Sequence, residues 1–240
     1  MTIRIGMWSG PRNISTAMMR SFENRDDTVV VDEPFYAYYL HATGMAHPMR
    51  EQVIASQPTD WTDVTAALVR DLDDADIVYQ KHMTHHMLHE IELDWTAALR
   101  NCFLIRDPKY VVASYARKRE SVTQDDIGIL RQYELYTEIT AITGQDIPVI
   151  DATRFLADPE AGLHRLCERL AIPYSDRMLH WPTGRRASDG VWAAHWYEVV
   201  EQSTGFQAFS AGDVALTAEQ QSIVDEASDY YQALLADAGP

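Results

Sequence analysis

The sequence has little of three features that would each assign it to a class of protein. It contains two cysteines, Cys102 and Cys167, too few for a disulfide framework and consistent with a reducing compartment. No apolar run approaches the ~20 residues of a membrane-spanning helix. No basic segment followed by an apolar run marks a secretory signal. These absences predict a cytoplasmic protein that does not engage a membrane.

Basic residues are also scarce. The chain has 20 Lys and Arg against 36 Asp and Glu, which gives a net charge of −16. A nucleic acid needs a basic face, so this composition argues against nucleic acid as a partner. In so acidic a chain, an anion site must gather its cations locally, which makes every basic cluster informative. Oligomeric state cannot be read from the sequence, and a homodimer stays open.

Short apolar or β-branched runs alternate with amphipathic segments along the chain. The alternation predicts one α/β domain over residues 1–240. We expect three layers, with a central, mostly parallel sheet of about five strands between helices and ligands at the carboxyl ends of the strands. The predicted strands begin near residues 3, 28, 76, 101 and 147. Helices are predicted at 15–22, 63–70, 95–100, 129–142, 159–170 and 217–235, and another begins at Pro108.

The chain starts with a strand, a tight turn and a helix. Such a turn presents backbone N–H groups and a helix N-terminus to an anion, most often a phosphate. The turn reads Gly10-Pro11-Arg12-Asn13-Ile14-Ser15-Thr16, with one cation and two hydroxyls. It is not a Walker A loop, because Ser15 and Thr16 stand where that loop has a second Gly and a Lys.

Two later segments carry further candidate anion ligands. Arg106 ends the fourth predicted strand, and Ser114 follows eight residues later in the helix that Asp107 and Pro108 begin. A cation and a hydroxyl so placed can reach one phosphate. A loop near residue 185 contains the adjacent pair Arg185-Arg186, which suggests a second anion clamp.

Together, these segments resemble sulfotransferases that use 3′-phosphoadenosine 5′-phosphosulfate (PAPS). That family's first loop reads Pro-Lys-Ser-Gly-Thr-Thr and is similar to residues 11–16 here. Its second element is an Arg followed by a Ser eight residues later, a spacing that Arg106 and Ser114 match. Its third element, Arg-Lys-Gly-x-x-Gly-x-Trp, is similar to residues 185–192. The three elements appear here in the family's order. This chain differs in Arg12 for Lys, Ile14 for Gly and Ala17 for an aromatic residue.

The resemblance implies a P-loop-like sulfotransferase fold. It also implies transfer of a sulfuryl group from PAPS to a hydroxyl or amine of a small-molecule or carbohydrate acceptor, with no metal. It assigns the 5′-phosphosulfate to Pro11, Arg12, Asn13, Ile14, Ser15 and Thr16. It assigns the 3′-phosphate to Arg106, Ser114, Arg185 and Arg186.

Sulfuryl transfer also needs a base that removes the acceptor's proton. Two candidates follow predicted strands: Glu33 in Asp32-Glu33-Pro34, and His82 in Lys81-His82-Met83. Both segments resemble strand ends that carry the base in sulfotransferases, and Glu33 is favoured. Lys81 is expected to assist charge development on the transferring group.

Aromatic and histidine residues are concentrated near both candidate bases and are expected to form an acceptor-binding wall. A metal site built from His82, His85, His86 and His89 is the less favoured interpretation, because no Cys or Asp stands among them. The residues assigned to the acceptor wall are Tyr36, Tyr39, His41, His85 and His86.

Two other functions stay open. A P-loop kinase or nucleotide hydrolase would place Asp32 on magnesium and Arg12 on a phosphate, although the missing P-loop Lys argues against it. A non-catalytic module would keep the nucleotide pocket and bind a partner.

Overall fold

The structure, a computed structural model, describes residues 2–72, 75–116, 122–209 and 214–238. Its strands are β1 (Ile3–Ser9), β2 (Thr28–Asp32), β3 (Ile77–Met83), β4 (Arg100–Ile105) and β5 (Val149–Asp151). They form a five-stranded sheet in the order β2-β3-β1-β4-β5, in which every pairing is parallel. The α/β class and the parallel five-stranded sheet predicted from the sequence are therefore confirmed.

Helices flank the sheet, and the described part of the chain has two core clusters. Along β1, Ile5 and Met7 belong to one cluster and Trp8 to the other, as expected for successive side chains on opposite sheet faces. The helices are α1 (Ser15–Glu23), α2 (Tyr36–Thr43), α3 (Arg50–Ser56), α4 (Trp61–Leu68), α5 (Pro108–Ala116), α6 (Gln124–Ile127), α7 (Ile129–Thr143), α8 (Ala152–Ala157), α9 (Pro159–Arg169), α10 (Ala193–Trp196), α11 (Glu198–Glu201) and α12 (Ala218–Asp237). Short 3-10 turns cover Thr84–His86, Asp94–Ala98 and Asp176–Leu179.

β1 occupies the middle of the sheet, between β3 and β4. The turn that follows β1 therefore lies between the carboxyl ends of two neighbouring strands. This position explains why the segments after β1, β2, β3 and β4 can meet although they are far apart in sequence.

One predicted helix is wrong. Over 95–100 the chain forms the 3-10 turn Asp94–Ala98 and is already extended at Leu99, with ψ 155°. Asn101 holds the turn against β4, because its Nδ2 donates to the Thr96 carbonyl at 3.0 Å. The cap expected for the last helix is present: Thr217 and Gln220 exchange side-chain and backbone hydrogen bonds.

Membrane-spanning helices are absent from the described ranges, since none of the helices there is both long and apolar enough to cross a bilayer.

Candidate active site

The turn between β1 and α1 is fixed by Asn13. Its Oδ1 accepts the Ile14 N–H at 2.8 Å, and its Nδ2 donates to the Leu104 carbonyl of β4 at 3.0 Å. Ile14 has φ −89° and ψ 19°, a conformation open to residues other than glycine, and it packs against the core. The left-handed residue is Arg12, with φ 56°. Position 14 therefore does not require a glycine here.

The amino end of α1 has no side-chain cap, and its first turn has no acidic residue. The N–H groups of a first helical turn lack partners within the helix, and the helix dipole there favours an anion. Ser15, Thr16 and Ala17 of this turn line a cavity together with the preceding residues 11–14. We call residues 11–17 the α1 wall; it offers backbone and hydroxyl donors to an anion in the cavity.

Arg12, Arg106 and Ser114, predicted from separate segments, lie together. The Arg12 Nε donates to Ser114 Oγ at 3.0 Å. Arg106, which follows β4, donates through Nη1 to the Arg12 carbonyl. Asp107 helps to start α5 by accepting the Lys109 N–H at 2.8 Å, which orients the helix that carries Ser114. Two cations and a hydroxyl thus border the α1 wall in a chain with few cations.

A buried cluster lies at the carboxyl ends of β2 and β3. Asp32 and Lys81 are register partners on these strands. The Lys81 Nζ donates to Asp32 Oδ1 at 2.9 Å, to Glu33 Oε1 at 2.6 Å and to the Tyr197 hydroxyl at 2.5 Å. We call Asp32, Glu33, Lys81 and Tyr197 the Lys81 cluster; it holds one cation and two carboxyl groups.

Glu33 is the carboxyl group of this cluster that reaches the cavity. Its side chain is 11% exposed, against 2% for Asp32. Burial raises the pKa of Glu33, and the nearby charge of Lys81 opposes that rise. Burial alone would lower the pKa of Lys81, but the charges of Asp32 and Glu33 hold it well above its ordinary value. A charged lysine therefore lies beside a carboxyl group of elevated pKa, as at many proton-transfer sites.

Glu33 also adopts an unusual backbone conformation, with φ 42°. Its N–H donates to the Lys81 carbonyl at 3.0 Å, and its carbonyl accepts from Gln57 Nε2 at 3.1 Å. A non-glycine residue in the left-handed region costs free energy and persists where the surroundings fix it. Both such residues at this edge, Arg12 and Glu33, line the cavity.

The cavity has a volume of about 340 Å³ and is bordered by the α1 wall and the Lys81 cluster. Its remaining walls are mostly aromatic or aliphatic. Besides residues 11–17, Glu33, Lys81 and Tyr197, it is lined by Tyr36, His47, Met83, His85, His86, Tyr115, Leu156, Trp196, Val199, Val200, Ser203, Gly205, Phe206 and Gln207.

Three of the five residues predicted for an acceptor wall line the cavity: Tyr36, His85 and His86. His86 stacks on Tyr36 at a centroid distance of 4.5 Å and on Tyr39 at 4.9 Å. Burial lowers the pKa of His86 well below its ordinary value, with a further contribution from the neighbouring His85, so its ring is neutral. Tyr39 packs behind this wall rather than in it, and His41 is exposed and outside the cavity.

His82 lies away from the cavity. Alternation along β3 directs Lys81 and Met83 to the cavity and His82 to the opposite face of the sheet, where it stacks on Trp8 at 4.3 Å. Its Nε2 is 3.2 Å from Gln80 Oε1, and burial lowers its pKa to about 3. The sequence favoured Glu33 over His82 as the base, and of the two the geometry brings Glu33 to the cavity.

Arg185 and Arg186 also lie outside the cavity lining. Arg185 is exposed. Arg186 donates to the Pro182 carbonyl, and its Nε lies 3.7 Å from Glu23 Oε2. The same loop is anchored by a buried ion pair between Arg20 and Asp189 at 2.6 Å. The structure thus brings Arg106 and Ser114 into contact with Arg12, although neither of the two lines the cavity, and it leaves Arg185 and Arg186 at the periphery.

In the described ranges, no group of three or more His, Cys, Asp or Glu side chains is arranged to hold a metal ion. The four neighbouring histidines do not converge on one point: His82 enters the core, His85 and His86 line the cavity, and His89 is 77% exposed at the surface.

Sequence reasoning missed several residues of the site. Asp32 was considered only as a magnesium ligand, and Tyr197, His47 and Trp196 were not assigned. A signal for Tyr197 existed, because it follows the family-like Trp192 by five residues in a Trp-rich segment. His47 lies in the aromatic and His-rich segment 35–50, which was expected to line a pocket, but no role was assigned to it individually.

The fold and the site define a class: parallel α/β proteins in which an uncapped helix N-terminus and a buried carboxyl group line one cavity at a sheet edge. A family model described as a sulfotransferase domain matches residues 3–238. The chain belongs to this sulfotransferase domain family.

Solved sulfotransferases share the fold. The sulfotransferase domain from the curacin biosynthetic pathway is 14% identical, with a TM-score of 0.56, and the match covers 95% of this chain and 98% of that one. Mouse sulfotransferase SULT7A1 complexed with PAP is 13% identical, with a TM-score of 0.55 and coverage of 98% and 89%.

A sequence relative has a different description. The branched-chain-amino-acid aminotransferase-like protein 1 of Arabidopsis thaliana is 34% identical over 204 residues, or 85% of this chain. The match covers 36% of the relative, so this chain corresponds to about a third of its length.

Proposed function

We propose that this protein transfers a sulfuryl group from PAPS to a hydroxyl or amine of a small organic acceptor. The observation that carries the proposal is that the uncapped N-terminus of α1 and the Glu33 carboxyl group line one cavity. Family membership supports the reaction class. The donor's identity and the acceptor's chemistry are inferred from the residues around that cavity.

The α1 wall suits the 5′-phosphosulfate end of the donor. The hydroxyls of Ser15 and Thr16 and the guanidinium group of Arg12 can donate hydrogen bonds to phosphate and sulfate oxygens. The dipole of α1 adds a favourable field for the anion. Arg106 and Ser114 border this wall and would take the 3′-phosphate. Arg185 and Arg186 would complete that end from the periphery.

The donor supplies the sulfuryl group, and the protein's own residues position it and move a proton. Glu33 accepts the proton of the acceptor hydroxyl or amine as the new bond to sulfur forms. Arg12 and the first-turn N–H groups of α1 stabilise the negative charge that develops on the leaving phosphate oxygen. Lys81, held by three hydrogen bonds, supplies positive charge beside Glu33.

The acceptor would lie against the aromatic side of the cavity. Tyr36, His86 and Trp196 offer ring faces, and Leu156, Val200 and Phe206 add aliphatic or aromatic surface. Since the lining cations Arg12 and Lys81 are already assigned, a small acceptor with a ring and little charge fits best.

A magnesium-dependent kinase or hydrolase is less well supported. Both oxygens of Asp32 already accept hydrogen bonds, Oδ1 from Lys81 at 2.9 Å and Oδ2 from the Gly190 N–H at 3.2 Å. An Asp so occupied is poorly placed to coordinate magnesium.

Isothermal titration with 3′-phosphoadenosine 5′-phosphate, in EDTA, tests the donor site. We expect binding without magnesium, and transfer of ³⁵S from labelled PAPS to members of a panel of phenols, alcohols, amines and sugars. Magnesium-dependent ATP binding, with no affinity for the bisphosphate, would overturn the proposal. Bisphosphate binding with no transfer across the panel would favour a non-catalytic module.

A further inference from the structure

The hydroxyl of Tyr197 has every hydrogen-bonding position occupied. It donates to the Asp32 carboxyl group at 2.8 Å, and it accepts from Lys81 Nζ at 2.5 Å and from Trp192 Nε1 at 3.3 Å. A phenol has one donor and two acceptor positions. Tyr197 is 4% exposed, so these partners cannot readily be replaced by bulk water.

The ammonium group of Lys81 is equally saturated. It has three N–H donors, and they go to Asp32, Glu33 and Tyr197. Lys81 is 1% exposed, and its Nζ also lies 4.9 Å from the centre of the Tyr197 ring. The direction of the bond to Glu33 is therefore set by the two partners that hold the other protons.

The segment 183–192 connects to this cluster. The Gly190 N–H donates to Asp32, and the Trp192 indole donates to Tyr197. Asp189, next to Gly190, is held by the buried Arg20. The loop that carries Arg185 and Arg186 is thereby attached to the proposed base through Asp32 and Tyr197.

We propose that Tyr197 is a positioning residue: its hydroxyl, anchored on Asp32, fixes Lys81 and thereby holds Glu33 in the orientation that accepts the acceptor's proton. The inference rests on the proposed sulfuryl transfer for its catalytic consequence. Its structural part, the control of Lys81 by Tyr197, holds or fails independently of that reaction.

Tyr197→Phe removes the hydroxyl and keeps the ring. Tyr79→Phe is a matched control, because Tyr79 is fully buried and its hydroxyl has no hydrogen-bond partner in the described ranges. For transfer to the best acceptor of the panel, we expect Tyr197→Phe to lower kcat roughly 10–100-fold, as misplacement of a reacting group does. Bisphosphate affinity should stay within about twofold of the wild type, since the α1 wall is untouched.

A second readout needs no turnover. The chain has three lysines, so ¹⁵N-lysine labelling gives few ammonium signals, and a protected signal at Lys81 can be assigned with Lys81→Met. We expect hydrogen exchange at this ammonium group to accelerate more than about tenfold in Tyr197→Phe, because one N–H loses its acceptor. Tyr79→Phe should leave it unchanged.

The outcomes separate the two proposals. If Tyr197→Phe exchanges like Tyr79→Phe, or if its kcat equals that of Tyr79→Phe, the positioning role is wrong. A parallel loss of bisphosphate affinity and kcat would also overturn it, because Tyr197 would then support donor binding. A wild type that neither binds the bisphosphate nor transfers sulfate contradicts the proposed function, whereas the exchange measurement still decides whether Tyr197 controls Lys81.

Discussion

The two sides of the cavity are assembled over very different distances along the chain. Residues 11–17 of the α1 wall come from one turn, and its shape depends on local features such as the Asn13 side chain. The Lys81 cluster joins the ends of β2 and β3 to a third segment, and Tyr197 lies 165 residues from Asp32. A local anion cradle can therefore be recognised from sequence order, whereas a cluster from three segments becomes visible only once the sheet order is known.

Substitutions on the two sides of the cavity are also expected to change different kinetic quantities. In the proposed mechanism, the α1 wall binds the donor through groups present before and after transfer, so changes there should alter affinity. In the same mechanism, the Lys81 cluster supplies the group that accepts a proton in the transition state, so changes there should alter kcat. Three substitutions test this separation.

Glu33→Gln should have the largest effect. Losing a general base lowers kcat by about 10²–10⁴-fold, while bisphosphate affinity measured by titration should change little. In the wild type, kcat/KM should fall as the pH drops through the pKa of Glu33, which burial raises above its ordinary value of 4.5. This acid limb should disappear in Glu33→Gln.

Two control variants accompany that measurement. Glu134→Gln alters a partly exposed carboxyl group that lies outside the cavity lining, and it should behave like the wild type. His82→Gln should affect stability more than kcat, because the ring lies in the core. Transfer that survives Glu33→Gln and is abolished by His82→Gln would reverse the assignment of the base.

Arg106→Ala should have an intermediate effect, and the quantity it changes should be the affinity for the nucleotide. A charge-assisted hydrogen bond contributes about 1.5–3 kcal/mol, so the dissociation constant of the bisphosphate should rise roughly 10–150-fold. Arg169→Ala, which breaks an exposed ion pair with Asp146, is the control for loss of an arginine. If kcat at saturating donor falls as steeply as affinity, the two sides of the cavity are not separable.

Ile14→Gly should have the smallest effect. It restores the glycine of the family's loop at a position whose φ of −89° does not need it. Lost packing and greater freedom of the unfolded chain should cost roughly 1–2 kcal/mol of unfolding free energy in denaturant titration. Bisphosphate affinity should change less than about threefold. A large gain in affinity would mean that the isoleucine side chain obstructs the donor.

Much of the fold could be predicted because its signals are local. Short apolar strands, the start of α5 at Asp107-Pro108 and the Thr217 cap each depend on neighbouring residues. The segment 95–100 was mispredicted because Asn101, at the start of β4, donates from its side chain to the Thr96 carbonyl and ends the turn before it becomes a helix.

The site was only partly predictable, because several of its contacts join residues that are far apart in the sequence. The pairing of Arg106 with Ser114 was predicted from a family-like spacing. The contact of Ser114 with Arg12 and the opposite orientations of Lys81 and His82 depend instead on the sheet order and on strand alternation. Tyr197 could not be linked to Asp32 without the path of the chain between them.

The position of β2 has a consequence for how the protein loses activity. In the described sheet β2 has a single neighbouring strand, β3, yet Asp32 ends it and Glu33 follows directly. Local opening of β2 would release both carboxyl groups while the other four strands stay paired. We therefore expect the opening of this edge strand to inactivate the site before the protein unfolds as a whole, and amide exchange in Thr28–Asp32 to report it.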